Sequence, residues 1–352
     1  MRTWFLAGST VLFLAFLAAA GPSLQVEPTV YRFGEVTEGI LVRAVFVLTN
    51  VGDAPLVFPR QPHTSCGCTS APLPKGELLP GESMELVVLF DSTGFGGRKI
   101  ARRVELFSND PEQPKRILLL EGYVRKPLPH EASASTLYYG FYLLVDLRSP
   151  DAYARGHLLG AINIPLEDLE LWADRLPKAL PIYLYDETGE GAAEAARLLR
   201  ERGVVVARAI AGGLLGWREE LGDAFFTHPL GGPKAPPSGK GEGKSRAVSP
   251  RRVARNYYVI VDLRTVQEFA AGHIPGALNL TPEELPTWLA ALPPIGDAGA
   301  LHIWLVDADG TTACELAAAL RNEGYGNIYC LVGGIEQWKA RYPDLLWSGP
   351  AN

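Results

Sequence analysis

Apolar positions fall into two kinds of pattern along this chain. From about Val26 to Val124 they come in short β-rich runs: Leu41–Leu48, Met84–Phe90, Arg103–Phe107 and Arg116–Leu120. Turn formers separate them, at Asn50-Val51-Gly52-Asp53, Pro80-Gly81 and Ser108-Asn109-Asp110-Pro111. No helical period interrupts, and the text predicts an antiparallel sandwich. Beyond about residue 138 the apolar runs become continuous and alternate with amphipathic stretches. In the last part of the chain Tyr258–Leu263, Leu301–Val306 and Ile328–Leu331 read as buried strands, and Val266–Ala271 and Ala313–Glu323 as helices. Continuous apolar strands between helices indicate a parallel sheet covered on both faces.

This second text occurs twice. Val145-Asp146-Leu147-Arg148, Gly156-His157, Gly160-Ala161 and Asn163 return as Val261-Asp262-Leu263-Arg264, Gly272-His273, Gly276-Ala277 and Asn279, at a constant offset of 116 (Asp146 to Asp262). Downstream, Tyr185-Asp186 matches Val306-Asp307, and Gly212-Gly213 with Trp217 matches Gly333-Gly334 with Trp338, at an offset of 121 (Trp217 to Trp338). A whole α/β domain is duplicated.

The repeated motif, Asp-x-Arg, Gly-His, Gly-Ala-x-Asn and Gly-Gly-x-x-x-Trp, resembles the rhodanese family. The resemblance implies a sulfur-carrying cysteine in the loop between a strand and the following helix. That position holds Asp186 in one copy and Asp307 in the other. A carboxylate forms no stable persulfide, and it is ionised at neutral pH, with an ordinary pKa of about 3.9. Around Asp186 stand Glu187, Gly189 and Gly191; around Asp307 stand Asp309, Gly310 and Thr312. Gly191 and Thr312 occupy the place where active members often carry Arg. The resemblance therefore implies a degenerate sulfurtransferase fold without catalytic residues. Asp at a helix start reads as a cap, contributing about 1 kcal/mol; a carboxylate site for a cation is the competing reading. His157, His273 and the Asp146/Arg148 and Asp262/Arg264 pairs read as fold-defining groups. Asp307-Ala308-Asp309 also matches the first motif of haloacid-dehalogenase-type phosphatases, but too little chain follows to supply that family's other parts.

The first 100 or so residues resemble the DUF1573 family, an immunoglobulin-like module, through Phe33-Gly34-x-Val36, Thr49-Asn50-x-Gly52, Ser65-Cys66-Gly67-Cys68-Thr69 and Ser108-Asn109-Asp110-Pro111. The expected order is thus a signal peptide or anchor over 1–22, a sandwich over 24–125, a hinge over 126–137, one rhodanese-like domain over 138–228, a flexible basic linker over 229–252 and a second domain over 253–348. The linker expectation rests on Pro, Gly, Ser and Lys displacing apolar residues.

Composition narrows the function. A hydrophobic content of 47% suits packed domains, and a net charge of −6 argues against nucleic acid as a partner. One Arg, an apolar run from Trp4 to Ala20 and the small residues Ala18-Ala19-Ala20 predict export to the periplasm or outside, with membrane attachment through residues 4–20 if the segment is retained. Four cysteines fit that compartment. Cys314 and Cys330 align with Ala193 and Ala209, so they read as small buried groups, with a disulfide permitted. A ring closed within Cys66-Gly67-Cys68 is tight, so free thiols or an intermolecular link are expected there. With His63 they form a candidate Cu or Zn set. The expected function is an exported, non-catalytic protein that binds or scaffolds another protein. The alternatives are a sulfurtransferase or sulfur carrier using a non-family cysteine, and metal binding at His63, Cys66 and Cys68.

Overall fold

The structure, a computed structural model, describes residues 21–227, 247–292 and 294–348. The expected signal segment before residue 21 and most of the expected basic linker lie outside these residues. The described residues divide into two compact units, the first made of residues 21–36, 42–91 and 98–123 and the second of the described residues from Val124 onward with two short segments at 37–41 and 92–97.

The first unit carries strands β1 (Leu24–Glu27), β2 (Val30–Thr37), β3 (Leu41–Asn50), β4 (Leu56–Val57), β5 (His63–Thr64), β6 (Thr69–Ser70), β7 (Glu77–Leu78), β8 (Ser83–Asp91), β9 (Arg98–Phe107) and β10 (Lys115–Arg125). They form two four-stranded sheets, β1-β3-β8-β6 and β2-β10-β9-β5, and a small β4-β7 ribbon. Along β3 every second side chain is buried, and Phe46, Leu48, Leu86, Phe90, Leu106 and Leu118 are wholly enclosed. Alternation of this kind is what a sheet with one wet face requires. The motif residues of this unit pin its turns. Asn50 Nδ2 donates to the carbonyls of Ala54 and Leu78, each at 2.9 Å. Buried Asp110 accepts the N–H groups of Leu24, Glu112 and Gln113 at 2.8–3.0 Å. Although burial pushes the Asp110 carboxyl up, these donors hold it below the ordinary carboxylate range.

The second unit contains both repeats. The first has β12 (Leu143–Asp146), α2 (Pro150–Ala154), β13 (Ala161–Asn163), α3 (Leu169–Trp172), β14 (Ile182–Tyr185), α4 (Glu190–Glu201), β15 (Ala207–Ala209) and α5 (Gly213–Leu221). The second has β16 (Tyr257–Asp262), α7 (Val266–Ala271), β17 (Leu278–Asn279), α8 (Leu285–Ala291), β18 (Leu301–Val306), α9 (Thr311–Asn322), β19 (Ile328–Leu331) and α10 (Gly334–Arg341). Their parallel sheets run β13-β12-β14-β15 and β17-β16-β18-β19. Buried strands between helices, foreseen from the continuous apolar runs, are what the chain forms.

The segments that precede the repeats are exchanged between them. Strand β11 (Glu131–Ala132) and helix α1 (Ala134–Gly140) come before the first repeat, yet β11 adds to the edge of the second repeat's sheet, pairing parallel with β19. Cys330 N–H donates to His130 O at 2.8 Å and Val332 N–H to Ala132 O at 2.9 Å. Leu137 and Phe141 lie in one core with Ile335 and Trp338, and Tyr138 stacks on Tyr342 at 4.3 Å. Reciprocally, Val248 bridges in parallel to Ile210 at the edge of the first repeat's sheet. It is followed by α6 (Pro250–Ala254), whose Val253 packs with Leu214 and Trp217. The expected hinge at 126–137 and the end of the expected linker at 229–252 therefore hold structure. Their apolar residues Ala134 and Leu137, from the first segment, and Val248, from the second, find cores in the opposite repeat.

Equivalent residues meet where the repeats touch. Tyr257 Oη donates to Leu159 O at 2.6 Å and its ring stacks on Phe225 at 4.3 Å. Gly160 and Gly276, both at left-handed φ near +75°, lie back to back; a Cβ on Gly276 would reach Gly160 O at 3.0 Å. Tyr142 and Tyr258, also equivalent, have ring centroids 4.7 Å apart. Tyr258 Oη accepts the Tyr142 N–H and donates to the Tyr142 carbonyl. The buried Tyr142 hydroxyl has no partner. The asymmetry gives a prediction. Tyr258→Phe orphans two backbone groups and should cost about 1–3 kcal/mol, whereas Tyr142→Phe should be neutral or stabilising. Urea denaturation of the two variants checks the contrast.

Candidate functional site

Each repeat places a loop between its central strand and the following helix, the position where a helix N-terminus gathers unsatisfied N–H groups. In the second repeat Asp307 fills it. Its Oδ1 accepts the Gly310 N–H at 2.6 Å, and its Oδ2 accepts those of Thr312 at 2.8 Å and Ala313 at 3.3 Å. In the first repeat Asp186 Oδ1 accepts the Gly189 N–H and Oδ2 that of Ala192, at 3.2 Å. Both carboxylates are turned inward onto the backbone, as the capping reading requires, and Asp307 is buried.

The repeated Gly-Gly makes this loop possible. Gly310 takes φ +87°, and a Cβ there would come within 2.6 Å of Gly333 N; a Cβ on Gly334 would come within 2.5 Å of Asp307 O. The close approach lets Ile335 N–H donate to Asp307 O at 2.9 Å, and Leu214 N–H likewise to Asp186 O. Trp217 and Trp338 are wholly buried three to four residues along, their indole N–H groups donating to Ala224 O and Leu345 O.

The remaining loop residues supply no cationic side chain. Gly191 offers no side chain, and a Cβ there would strike Asp186 Oδ2 at 2.7 Å. Thr312 uses its N–H on Asp307. Glu187, Glu190 and Asp309 are exposed at the two mouths. Asp309 Oδ1 accepts the Thr311 N–H at 2.9 Å, which holds its carboxyl below the ordinary range. Both acids of Asp307-Ala308-Asp309 are thus committed to the loop's own backbone. The N–H cradle of each loop is filled by the loop's own carboxylate, and at the first mouth Glu187 faces the Arg148 guanidinium at 3.8 Å.

The other motif residues are structural. Asp146 receives Arg148 through Nε and Nη2, and Nη2 also donates to Gly156 O at 2.8 Å. Asp262 and Arg264 repeat this with Gly272 O. Asn163 and Asn279 tie the same turn through two carbonyls each. His157 and His273 stack on Tyr153 and Phe269 and donate from Nδ1 to the carbonyls of those residues. Burial pulls the His273 imidazole below its ordinary pKa, so it is neutral at pH 7.

All four cysteines are paired, Cys66 with Cys68 and Cys314 with Cys330. The closed Cys66-Gly67-Cys68 ring differs from the free thiols expected of it; a turn that brings the two Cα atoms to 5.2 Å allows the bond. His63 faces Glu105 at 3.9 Å. Among the described residues no group of three His, Cys, Asp or Glu side chains is placed to hold a metal ion. Cys314–Cys330 ties α9 to β19 across 16 residues, a loop closure that contributes about 3 kcal/mol.

A strand-loop-helix module of this kind, doubled and with an Asp-filled loop in each copy, defines a tandem α/β protein. The chain belongs to the rhodanese-like family: the rhodanese-like domain model matches residues 133–220 and 250–341, and the model of a protein family of unknown function, DUF1573, matches residues 24–124. The thiosulfate sulfurtransferase GlpE of Stutzerimonas stutzeri is 38% identical over 87 residues, 24% of this chain and 74% of that protein. A rhodanese-like domain from Anabaena is 33% identical, covering 22% of this chain and 91% of the domain, with a TM-score of 0.21. A Porphyromonas gingivalis protein of unknown function is 25% identical over 32% of this chain, with a TM-score of 0.28; the chain spans half of that protein's length.

The sequence pointed to Asp186, Asp307 and their loops. It did not point to Tyr142, Tyr258, Gly160 and Gly276 as the seam between the repeats. Their shared offset of 116 was the available signal.

Proposed function

We propose that this is an exported member of the rhodanese-like family whose two rhodanese loops are non-catalytic, and that its paired modules and sandwich bind another protein. The observation that carries the reading is the geometry of Asp307 and Asp186. Each carboxylate accepts the backbone N–H groups that, in a sulfur-transferring loop, would stabilise a cysteine thiolate and a substrate anion. The alternative of sulfur carriage on a non-family cysteine is disfavoured because no cysteine is free. Two intramolecular disulfides support an oxidising compartment, in keeping with the expected export segment. No helix among the described residues is long and apolar enough to cross a membrane.

The test is thiocyanate formation from thiosulfate and cyanide. The unmodified protein should stay at background. Asp307→Cys, which places a thiol among the same donors, should rise at least tenfold above it. Turnover by the unmodified protein, or a sulfane adduct on any of its cysteines, would overturn the reading.

A further inference from the structure

We propose that Cys66–Cys68 is a thiol–disulfide exchange site that oxidises exposed dithiols of a protein substrate, with the Thr69 hydroxyl stabilising the departing thiolate. The pair sits where the chain crosses between sheets: β5 ends one sheet, β6 ends the other, and Ser65–Cys68 is the whole crossing. Both cysteines are part-exposed, and the intervening Gly67 is exposed with open space around it. The ring therefore has an open side at Gly67 from which a thiolate can approach. Thr69, by contrast, is buried, and its Oγ1 lies 3.5 Å from Cys66 Sγ and 3.7 Å from Cys68 Sγ. One hydroxyl thus reaches whichever sulfur becomes the leaving group, and hydrogen bonds to ionised acceptors are the strong ones.

The backbone on either side is held independently of the disulfide. Cys66 O accepts the Thr64 hydroxyl at 3.1 Å and the Thr69 N–H at 3.3 Å, and Cys68 O accepts the Asp91 N–H at 2.9 Å. The two sulfurs stay close after the bond opens, so the reaction is reversible within the pair. Cys330 of the other disulfide is wholly enclosed in the core. Its partner Cys314 is part-exposed, so that bond is enclosed at one sulfur's residue, whereas Cys66–Cys68 is part-exposed at both, and the more accessible disulfides are the labile class.

The chemistry balances without a further reagent. A substrate thiolate attacks one Sγ, the Cys66–Cys68 bond breaks, and its electron pair leaves on the other Sγ, which takes the Thr69 hydrogen bond. The substrate's second thiolate then displaces the bound cysteine from the mixed disulfide. The substrate ends as a disulfide, and Cys66 and Cys68 end as thiols carrying the two protons.

The experiment uses the full chain equilibrated in glutathione buffers of graded potential, quenched with acid, alkylated and mapped by mass. Cys66–Cys68 should open reversibly while Cys314–Cys330 stays closed, and Cys68→Ser should accumulate a glutathione adduct on Cys66. With dithiothreitol as the dithiol probe, Thr69→Val should slow exchange about tenfold and Thr69→Ser should restore it. Opening of both disulfides together, or full-speed exchange in Thr69→Val, would overturn the proposal. So would loss of the sandwich's circular dichroism in the Cys66→Ser/Cys68→Ser double variant, since the bond would then be a structural clamp.

Discussion

Replacing Leu137 by alanine is expected to loosen the second repeat and leave the first intact. Leu137 is wholly buried on α1, a helix that precedes the first repeat in the chain but packs with Ile335, Trp338 and Leu331 of the second. Truncating a core leucine costs about 2–5 kcal/mol, the spread reflecting how far the site collapses. Amide hydrogen exchange locates the loss. Protection should fall in β19 and α10, with α5 and β15 unchanged. The reciprocal variant, Val253→Ala, should loosen α5 and spare α10, because Val253 packs with Leu214 and Trp217. If Leu137→Ala instead exposed α5, each repeat would be keeping its own leading segment, and the exchange described above would be wrong. The exchange ties the repeats together, because each sheet edge is completed by the segment that precedes the other repeat.

Arg264→Leu should be the most damaging single change at the repeated motif. Arg264 and Asp262 are both buried, joined through two nitrogens, and the guanidinium also satisfies the Gly272 carbonyl. Removing the cation leaves a buried carboxylate without its counter-charge, a defect that costs about 3–5 kcal/mol. Thermal unfolding of the second unit should drop accordingly. Adding Asp262→Asn to Arg264→Leu should recover a substantial part of the loss, since the stranded charge is then gone. Equal instability of the single and double variants would mean that the Gly272 contact, not the charge pair, is what matters. The motif is thus a structural rivet, and its recurrence in a protein with capped loops follows from that role.

The contrast between legible and illegible features is clearest at the loops. Asp186 and Asp307 were readable as caps because an ionised carboxylate beside a helix start has unsatisfied N–H groups within reach, a local matter of a few residues. The strand and helix order was readable for a similar reason: alternating or continuous apolar runs fix which face must be buried. Val266–Ala271 and Leu301–Val306 form over the spans their patterns predict. The Cys66–Cys68 bond went the other way. A short ring argued for open thiols, whereas the turn between two sheet edges brings the sulfurs together.

Residues 126–137 show what lies beyond local pattern. Their composition is that of a connector, with only Ala132, Ala134 and Leu137 as buried apolar anchors, and nothing in their order says which sheet has a vacant edge. The amino-acid sequence by itself determined the modules, their duplication and the Asp that stands in both loops, since each depends on residue identity over short spans. Which repeat receives β11 and α1, and how Tyr142 meets Tyr258, was decided only in three dimensions. Those choices rest on packing between segments more than 100 residues apart, where the buried area, not the local pattern, selects the partner.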